Sequence, residues 1–268
     1  MRNWIKIVLW SLFGIGIILI GIKIKLDLDA QLLPVPKIVI HLEDENAFIT
    51  ETELLERLKL NHFIFEGQKI EEIDIEAIEQ FIGAISHVKS VDVFQQITGE
   101  WQVDVHIRKP IARIFNTFGE TFYLDSEGNT MTTTTSHTAR ALVFTGEIQD
   151  RPNSVSTAEI INNDSLISIR KLDDIYRISA YVCNDPLFHS LVGQIHLEKN
   201  GDFVLVPVVG DQNIIFGPAH SIQDVESKFD KLKIFYTEAI AYEGWTKYAE
   251  INLKYEGQIV CKKKNLDE

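Results

Sequence analysis

The chain has 268 residues, with 26 basic against 39 acidic side chains, eight histidines, two cysteines and a net charge of −13. Hydrophobic residues at 45% and charged residues at 24% exclude a wholly disordered chain. Two cysteines exclude a disulfide framework or a four-thiolate zinc site, the acidic balance is wrong for a duplex nucleic-acid surface, and the length predicts one or two domains at roughly 150 residues each.

Charge divides the chain. Residues 1–25 carry Arg2, Lys6, Lys23 and Lys25 and no acid, whereas residues 26–268 hold the remaining 22 basic and all 39 acidic residues, a net −17. Ile7–Ile22 reads IVLWSLFGIGIILIGI, 16 residues in which Ser11 is the one polar side chain. Extended to Trp4–Ile24, the 21 residues make ~31 Å of helix, enough to cross a hydrocarbon core. Its Ile, Leu, Val and Phe side chains favour insertion by roughly 3–6 kcal/mol, and Lys6 and Lys23 have stems long enough to reach the interfaces. No small-residue cleavage pattern follows in GIKIKLDLDA. The expectation is an uncleaved anchor: a cytoplasmic tail at 1–6, a single transmembrane helix at 7–25, and the acidic body on the far side. A cleaved signal peptide and a buried core helix are the competing readings. Gly14, Gly16 and Gly21 lack the G-x-x-x-G spacing of a helix-dimer face.

Residues 26–36 (LDLDAQLLPVP) read as a linker that Pro34 and Pro36 keep extended. A strand follows at Lys37–Glu43. Thr50 with Glu53 forms a capping box opening a helix through Leu60, and a second helix starts near Asp74 with Ile75, Ile78, Phe81, Ile82 and Ile85 at helical spacing. Val88–Gln95 and Trp101–Arg108 read as strands joined by a turn at Ile97–Gly99. In the second of them Trp101, Val103, Val105 and Ile107 alternate with Gln102, Asp104, His106 and Arg108, so one face is buried and the other wet. The strand-helix-helix-strand-strand order predicts an α+β unit over 37–110.

Beyond Pro110, Ile111–Phe115 and Thr121–Leu124 read as strands, Asp125–Asn129 as a turn and Thr130–Thr138 as a threonine-rich loop. Arg140–Thr145 is a short strand, followed by a polar loop to about Ser165. Ser165–Asn184 has the spacing of a helix. Val192–Glu198 and Phe203–Val208 form a hairpin across Asn200-Gly201, Asp211–Asn213 turns into a strand at Ile214–Phe216, and Val225–Tyr242 is helical. Ala249–Tyr255 and Gln258–Lys262 close a second α+β domain, 111–262, built on an antiparallel sheet, with a charged tail at 263–268.

Catalytic signatures are missing: no H-E-x-x-H, G-x-S-x-G, Walker loop, C-x-x-C or G-x-G-x-x-G occurs. The histidines are scattered singly, His189 and His196 being the nearest pair, and His106 reads as a surface histidine. Asp173-Asp174 is an acid pair whose neighbouring side chains should diverge on a helix, Asp27 and Asp29 adjoin the membrane, and Asp211-Gln-Asn reads as a turn. Cys183 and Cys261 could bond only with Cα atoms within ~7 Å, which the sequence leaves open, and Asn163-Asp-Ser matches a glycosylation sequon. The expectation is a non-enzymatic binding protein without cofactor or metal.

This arrangement resembles the bacterial cell-division FtsQ/DivIB family. The resemblance rests on His87-Val-Lys-Ser-Val91, on Trp101-Gln-Val-Asp-Val-His-Ile-Arg-Lys-Pro-Ile-Ala112, on Tyr123-Leu-Asp-Ser-Glu-Gly-Asn129, similar to the family's Asp-x-x-Gly turn, and on Ile251-Asn-Leu-Lys-Tyr-Glu-Gly257, similar to its Asp-Leu-Arg-Tyr segment. Asn252 stands where the family commonly has Asp, and Gly257 falls one place early, so the register of the last strand pair is open. The resemblance implies a POTRA domain at 37–110, a β domain at 111–262, an inner-membrane anchor with a periplasmic body at the septum, and FtsB- and FtsL-like partners bound by strand addition at the C-terminal edge. An edge strand offers unpaired N–H and C=O groups to such a segment. Lys254, Tyr255, Gly257, Ile259 and Lys262 are the candidate contacts: Tyr255 as aromatic anchor, Gly257 for close backbone approach, Ile259 on the strand, Lys254 and Lys262 as rim charges. Lys262–Lys264 equally suit a protected edge. The rival functions are a POTRA-containing component of outer-membrane protein assembly or secretion, and a membrane-anchored wall enzyme.

Overall fold

The computed structural model of the chain describes residues 2–29, 32–44, 47–96, 100–135, 137–152 and 170–264. The predicted turn at 97–99, the Asn163 sequon and the first residues of the predicted 165–184 helix lie outside them. The chain forms two compact units, Met1–Leu42 with Ile49–Ile107, and Glu43–Phe48 with Arg108–Glu268.

The first unit begins with α1, Arg2–Asp29. Its Val8–Leu26 stretch has a mean hydropathy of 1.9 and none of it is buried, and among the described residues no other helix is long and apolar enough to cross a membrane. A stretch apolar on all sides and exposed throughout suits lipid rather than water. Then come β1 (Lys37–His41), α2 (Glu51–Leu60), α3 (Ile75–Gly83), β2 (Val88–Gln95) and β3 (Trp101–Ile107). The sheet order is β1-β3-β2, with β1 parallel and β2 antiparallel to β3. Thr50 caps α2 by accepting from Glu53 N at 3.2 Å, while the Glu53 carboxylate turns to Arg57 at 2.7 Å, so only half of the predicted capping box forms. Asp74 caps α3 through Ala77 N. The predicted alternation holds in β3, where Trp101, Val103, Val105 and Ile107 are buried, as are Leu54 and Leu58 of α2 and Ile78 and Ile82 of α3. Trp101 Nε1 donates to Pro34 O at 2.8 Å, fixing the segment before β1. The histidines are not all single in space: His41 and His106 stack across β1 and β3.

The second unit holds a nine-stranded sheet in the order β12-β11-β10-β9-β8-β7-β4-β5-β6. Its strands are β4 (Pro110–Phe115), β5 (Thr121–Asp125), β6 (Thr130–Thr132), β7 (Leu142–Gly146), β8 (Val192–Leu197), β9 (Phe203–Pro207), β10 (Asn213–Gly217), β11 (Tyr248–Asn252) and β12 (Val260–Lys263). The α+β class is as expected, but the sheet is mixed: β4–β7, β7–β8 and β10–β11 pair in parallel. Parallel neighbours need a crossover. Helices α4 (Leu172–Asn184) and α5 (Pro186–Leu191) separate β7 from β8, and α6 (Ile222–Ile234) separates β10 from β11. The core gathers Ile175, Ile178, Val182, Phe188, Phe229 and Leu232 from these helices with Phe144, Ile195, Leu205, Phe216 and Ile251 from the strands.

Four local expectations change. The threonine-rich stretch is not all loop, since Met131 opposite Tyr123 is fully buried and the flanking β-branched threonines suit a strand. Among the described residues, the helix predicted over 165–184 runs from Leu172, and the Lys171 N–H before it donates to Asp150 Oδ2 at 2.9 Å. The helix predicted over 225–242 is α6, capped by Ser221, followed by a wider π turn at Phe235–Ile240 that buries Tyr236 and Ile240. Finally, α5 was not expected; Asp185 caps it through Leu187 N and Phe188 N, with Pro186 at its first position.

Asp173 and Asp174 do not diverge as expected. Both are buried and both meet Arg177 Nη2, at 2.9 and 2.7 Å, because they stand four and three residues before it on α4. Arg177 Nε also donates to Ala219 O. Burial, with the Asp173 charge beside it, pushes the Asp174 carboxyl up despite these cations, and burial does the same to Asp150. Cys183 and Cys261 are separate, half-buried thiols, both pushed up by burial.

Candidate partner-binding edge

β11 lies in the sheet because Ile251 and Leu253 are fully buried and because it pairs in parallel with β10, Ile214 facing Ile251 and Ile215 facing Asn252. Leu253 N continues that pairing to Ile215 O at 2.9 Å. There the chain leaves the sheet: Asn252 Oδ1 accepts from Lys254 N at 3.1 Å, a side-chain turn that Asp or Asn can make equally well. The departure from the family's Asp at this position therefore keeps the geometry.

The connector from Leu253 to Ile259 is held from two sides. From α6, Lys231 Nζ donates to Leu253 O at 3.0 Å and Tyr255 O at 2.8 Å; burial outweighs the nearby carboxylates and pulls this ammonium's pKa down. From the sheet, Lys254 Nζ pairs with Asp202 Oδ2 at 2.7 Å, which raises the lysine's pKa. The Lys254 stem crosses Gly217, where a Cβ would come within 2.7 Å of Lys254 Cγ and where φ is 78°. Gly257 has φ 67° with open space around it, so its place in the turn is explained by backbone conformation.

β12 then returns antiparallel to β11, with Asn252 facing Val260, Ile251 facing Cys261 and Glu250 facing Lys262, which supplies the register the sequence left open. It ends the sheet, and among the described residues its outer edge has no strand beside it. Lys264 N reaches Lys247 O at 3.0 Å and Lys264 Nζ pairs with Asp211, so the strand is fastened at its far end.

The five sequence-predicted residues fall on this one hairpin. Tyr255 is half exposed, Lys262 is on the strand and exposed, Lys254 is engaged with Asp202, and Gly257 is in the turn. Ile259 immediately precedes β12 and packs against the core with Cys261. Alternation therefore sends the Val260 side chain outward, 45% exposed. Sequence reasoning missed Val260 and Lys231. The first was available from alternation about Cys261; the second is a contact across 22 and 24 residues with no local signature.

A strand-helix-helix-strand-strand unit after a helix long and apolar enough to cross a membrane, followed by a mixed-sheet domain ending in a fastened edge strand, defines a class of two-domain modular protein. Residues 36–106 match a POTRA-like domain. Residues 109–262 match the family described as FtsQ/DivIB, C-terminal related, and the chain belongs to the FtsQ/DivIB family. That membership gives it a division-related scaffold role. No curated protein matches the chain in sequence.

Proposed function

We propose that the chain is a non-catalytic, single-pass inner-membrane scaffold of the bacterial divisome, with its N-terminus in the cytoplasm and its body in the periplasm at the septum. It binds FtsB- and FtsL-like partners by adding a strand of the partner to β12. The observation that carries the reading is that β12 closes the sheet with an outer edge that no strand among the described residues pairs, while Lys231 holds the connector leading into it and Lys264 fastens its far end. A held edge can accept main-chain hydrogen bonds without being ordered first. Tyr255 and Val260 supply the exposed aromatic and aliphatic surface beside it.

Site-specific photo-crosslinking from position 260 or 262 in the full chain, co-expressed with an FtsB-like partner, tests this. Crosslinks should form from both positions and be absent from position 132, on the strand at the opposite end of the sheet. Equal crosslinking from 132, or none from 260 and 262, refutes the proposal.

A further inference from the structure

The fold lays side by side two histidines that the sequence separates by 65 residues. β1 and β3 run parallel with His41 opposite His106, and the imidazoles stack with centroids 4.5 Å apart and planes 14° from parallel. Both side chains are exposed, on the sheet face opposite the one that buries Ile38, Val103 and Val105. β1 is an outer strand of this sheet. On the same face, one row along, stand Asp104 and, in register with it on β2, Asp92.

We propose that His41 and His106 form a two-histidine surface site for a divalent transition-metal ion of the zinc, nickel and copper class, and that the ion staples the outer strand β1 to β3. Neutral imidazole nitrogen suits these metals. At metal–nitrogen distances of about 2.0–2.1 Å, two nitrogens on one ion lie roughly 3–3.5 Å apart. Rings stacked at 4.5 Å reach that separation by tilting toward each other about their side-chain torsions, with the strands left in register. Asp104 and Asp92 on the same face add negative charge that favours a cation, and Asp104 accepts from Gln102 Nε2 at 2.6 Å. Among the described residues no group of three His, Cys, Asp or Glu side chains could hold a metal, so water completes the coordination and the ion exchanges with solvent.

The test is a calorimetric titration of the untagged full chain in detergent with Ni2+, beside H41N, H106N and the double variant. Nickel is the probe because it prefers imidazole, which limits background from Cys183 and Cys261. Each single variant should bind about tenfold more weakly or worse, because one ligand loses the effective concentration of the other. The double variant, with no imidazole left at the site, should bind at least as weakly as either single. Singles that keep the wild-type affinity, whether at full stoichiometry or at the half expected of two independent sites, overturn the proposal. Hydrogen exchange supplies a readout tied to the strand: Ni2+ should slow exchange in the 37–41 segment of the wild type and leave H41N unchanged. Slowing in both, or in neither, also overturns it. H41N lies at the end of an outer strand and carries the test alone if H106N fails to fold.

Discussion

Lys231→Met removes the cation that holds the connector leading into β12 while keeping the length and apolar stem of the side chain. Two charge-assisted hydrogen bonds, at 3.0 and 2.8 Å to the carbonyls of Leu253 and Tyr255, are lost. Buried bonds of this kind contribute about 1.5–3 kcal/mol each; with the ammonium partly solvated, the pair is worth about 2 kcal/mol. The loss falls on local opening of the 253–263 hairpin, and 2 kcal/mol corresponds to roughly thirtyfold faster amide exchange there. Amides of the β4–β5 hairpin, separated from this one by the four strands β10, β9, β8 and β7 in the sheet order, should keep their wild-type rates. If the partner adds to a connector already in place, its affinity should fall by up to the same factor, because a smaller fraction of the protein is competent to bind. Lys231→Arg, which retains donors, should recover part of both effects. Wild-type exchange across 253–263 in Lys231→Met refutes the clamp, and lost affinity with unchanged exchange refutes its link to binding.

Three further outcomes concern stability, each read from denaturant unfolding of the full chain in detergent. Phe229→Ala should cost about 3–5 kcal/mol, since the buried ring is stacked on Tyr181 at 4.5 Å and packed on Phe188 and Phe216 at 4.8 and 4.9 Å; a cost below about 1 kcal/mol contradicts the core assignment. Asp185→Ala should cost about 1–2 kcal/mol for the lost cap. Burial raises the Asp185 carboxyl, but Lys233 and the two backbone donors outweigh it and leave the pKa lowered. The cap's contribution is therefore full above the unfolded value of 3.8 and lost as pH falls through the folded one, so the variant's deficit should shrink in acid; a constant deficit counts against the mechanism. Asp150 has the opposite sign: burial raises its folded pKa above 3.8, so its penalty is full above the folded value and relieved as pH falls toward 3.8. Asp150→Asn should gain on the wild type as pH rises through that window, and a gain in the other direction is incompatible with the buried-charge reading.

What could be read from the sequence was local. Thr50 and Asp74 announce their helices because capping acts within one turn, Trp101 to Ile107 shows its buried face by alternation, and Asn200-Gly201 marks a hairpin whose strands pair as expected. The misses are contacts between distant segments. The parallel β10–β11 pairing was indirectly signalled by the helix between the two strands. The convergence of Asp173 and Asp174 on Arg177 is the exception: the i,i+4 and i,i+3 spacing within α4 was there to be read. His41 and His106 meet only because a parallel sheet sets their register. At the candidate edge, the hairpin and Tyr255 were legible, whereas the Lys231 clamp and the outward turn of Val260 depend on where β12 begins.

The short length of β12 limits what main-chain pairing can contribute. Four residues present about two N–H and two C=O groups to a neighbour, since alternate groups face β11. At a net 0.5–1.5 kcal/mol per hydrogen bond, an added strand gains roughly 2–6 kcal/mol, short of the about 8 kcal/mol that micromolar affinity needs, before the costs of association. Side chains must supply the difference, and the half-exposed Tyr255, whose backbone is already fixed by Lys231, can bury an aromatic ring at little further entropic cost. Tyr255→Ala should therefore weaken partner binding by about 2 kcal/mol or more, near thirtyfold, leaving unfolding stability within about 0.5 kcal/mol of wild type. Val260→Asp should weaken binding without unfolding the sheet, because its side chain points outward. If both variants bind the partner normally in a calorimetric titration, the edge is a protected one and the partner docks elsewhere.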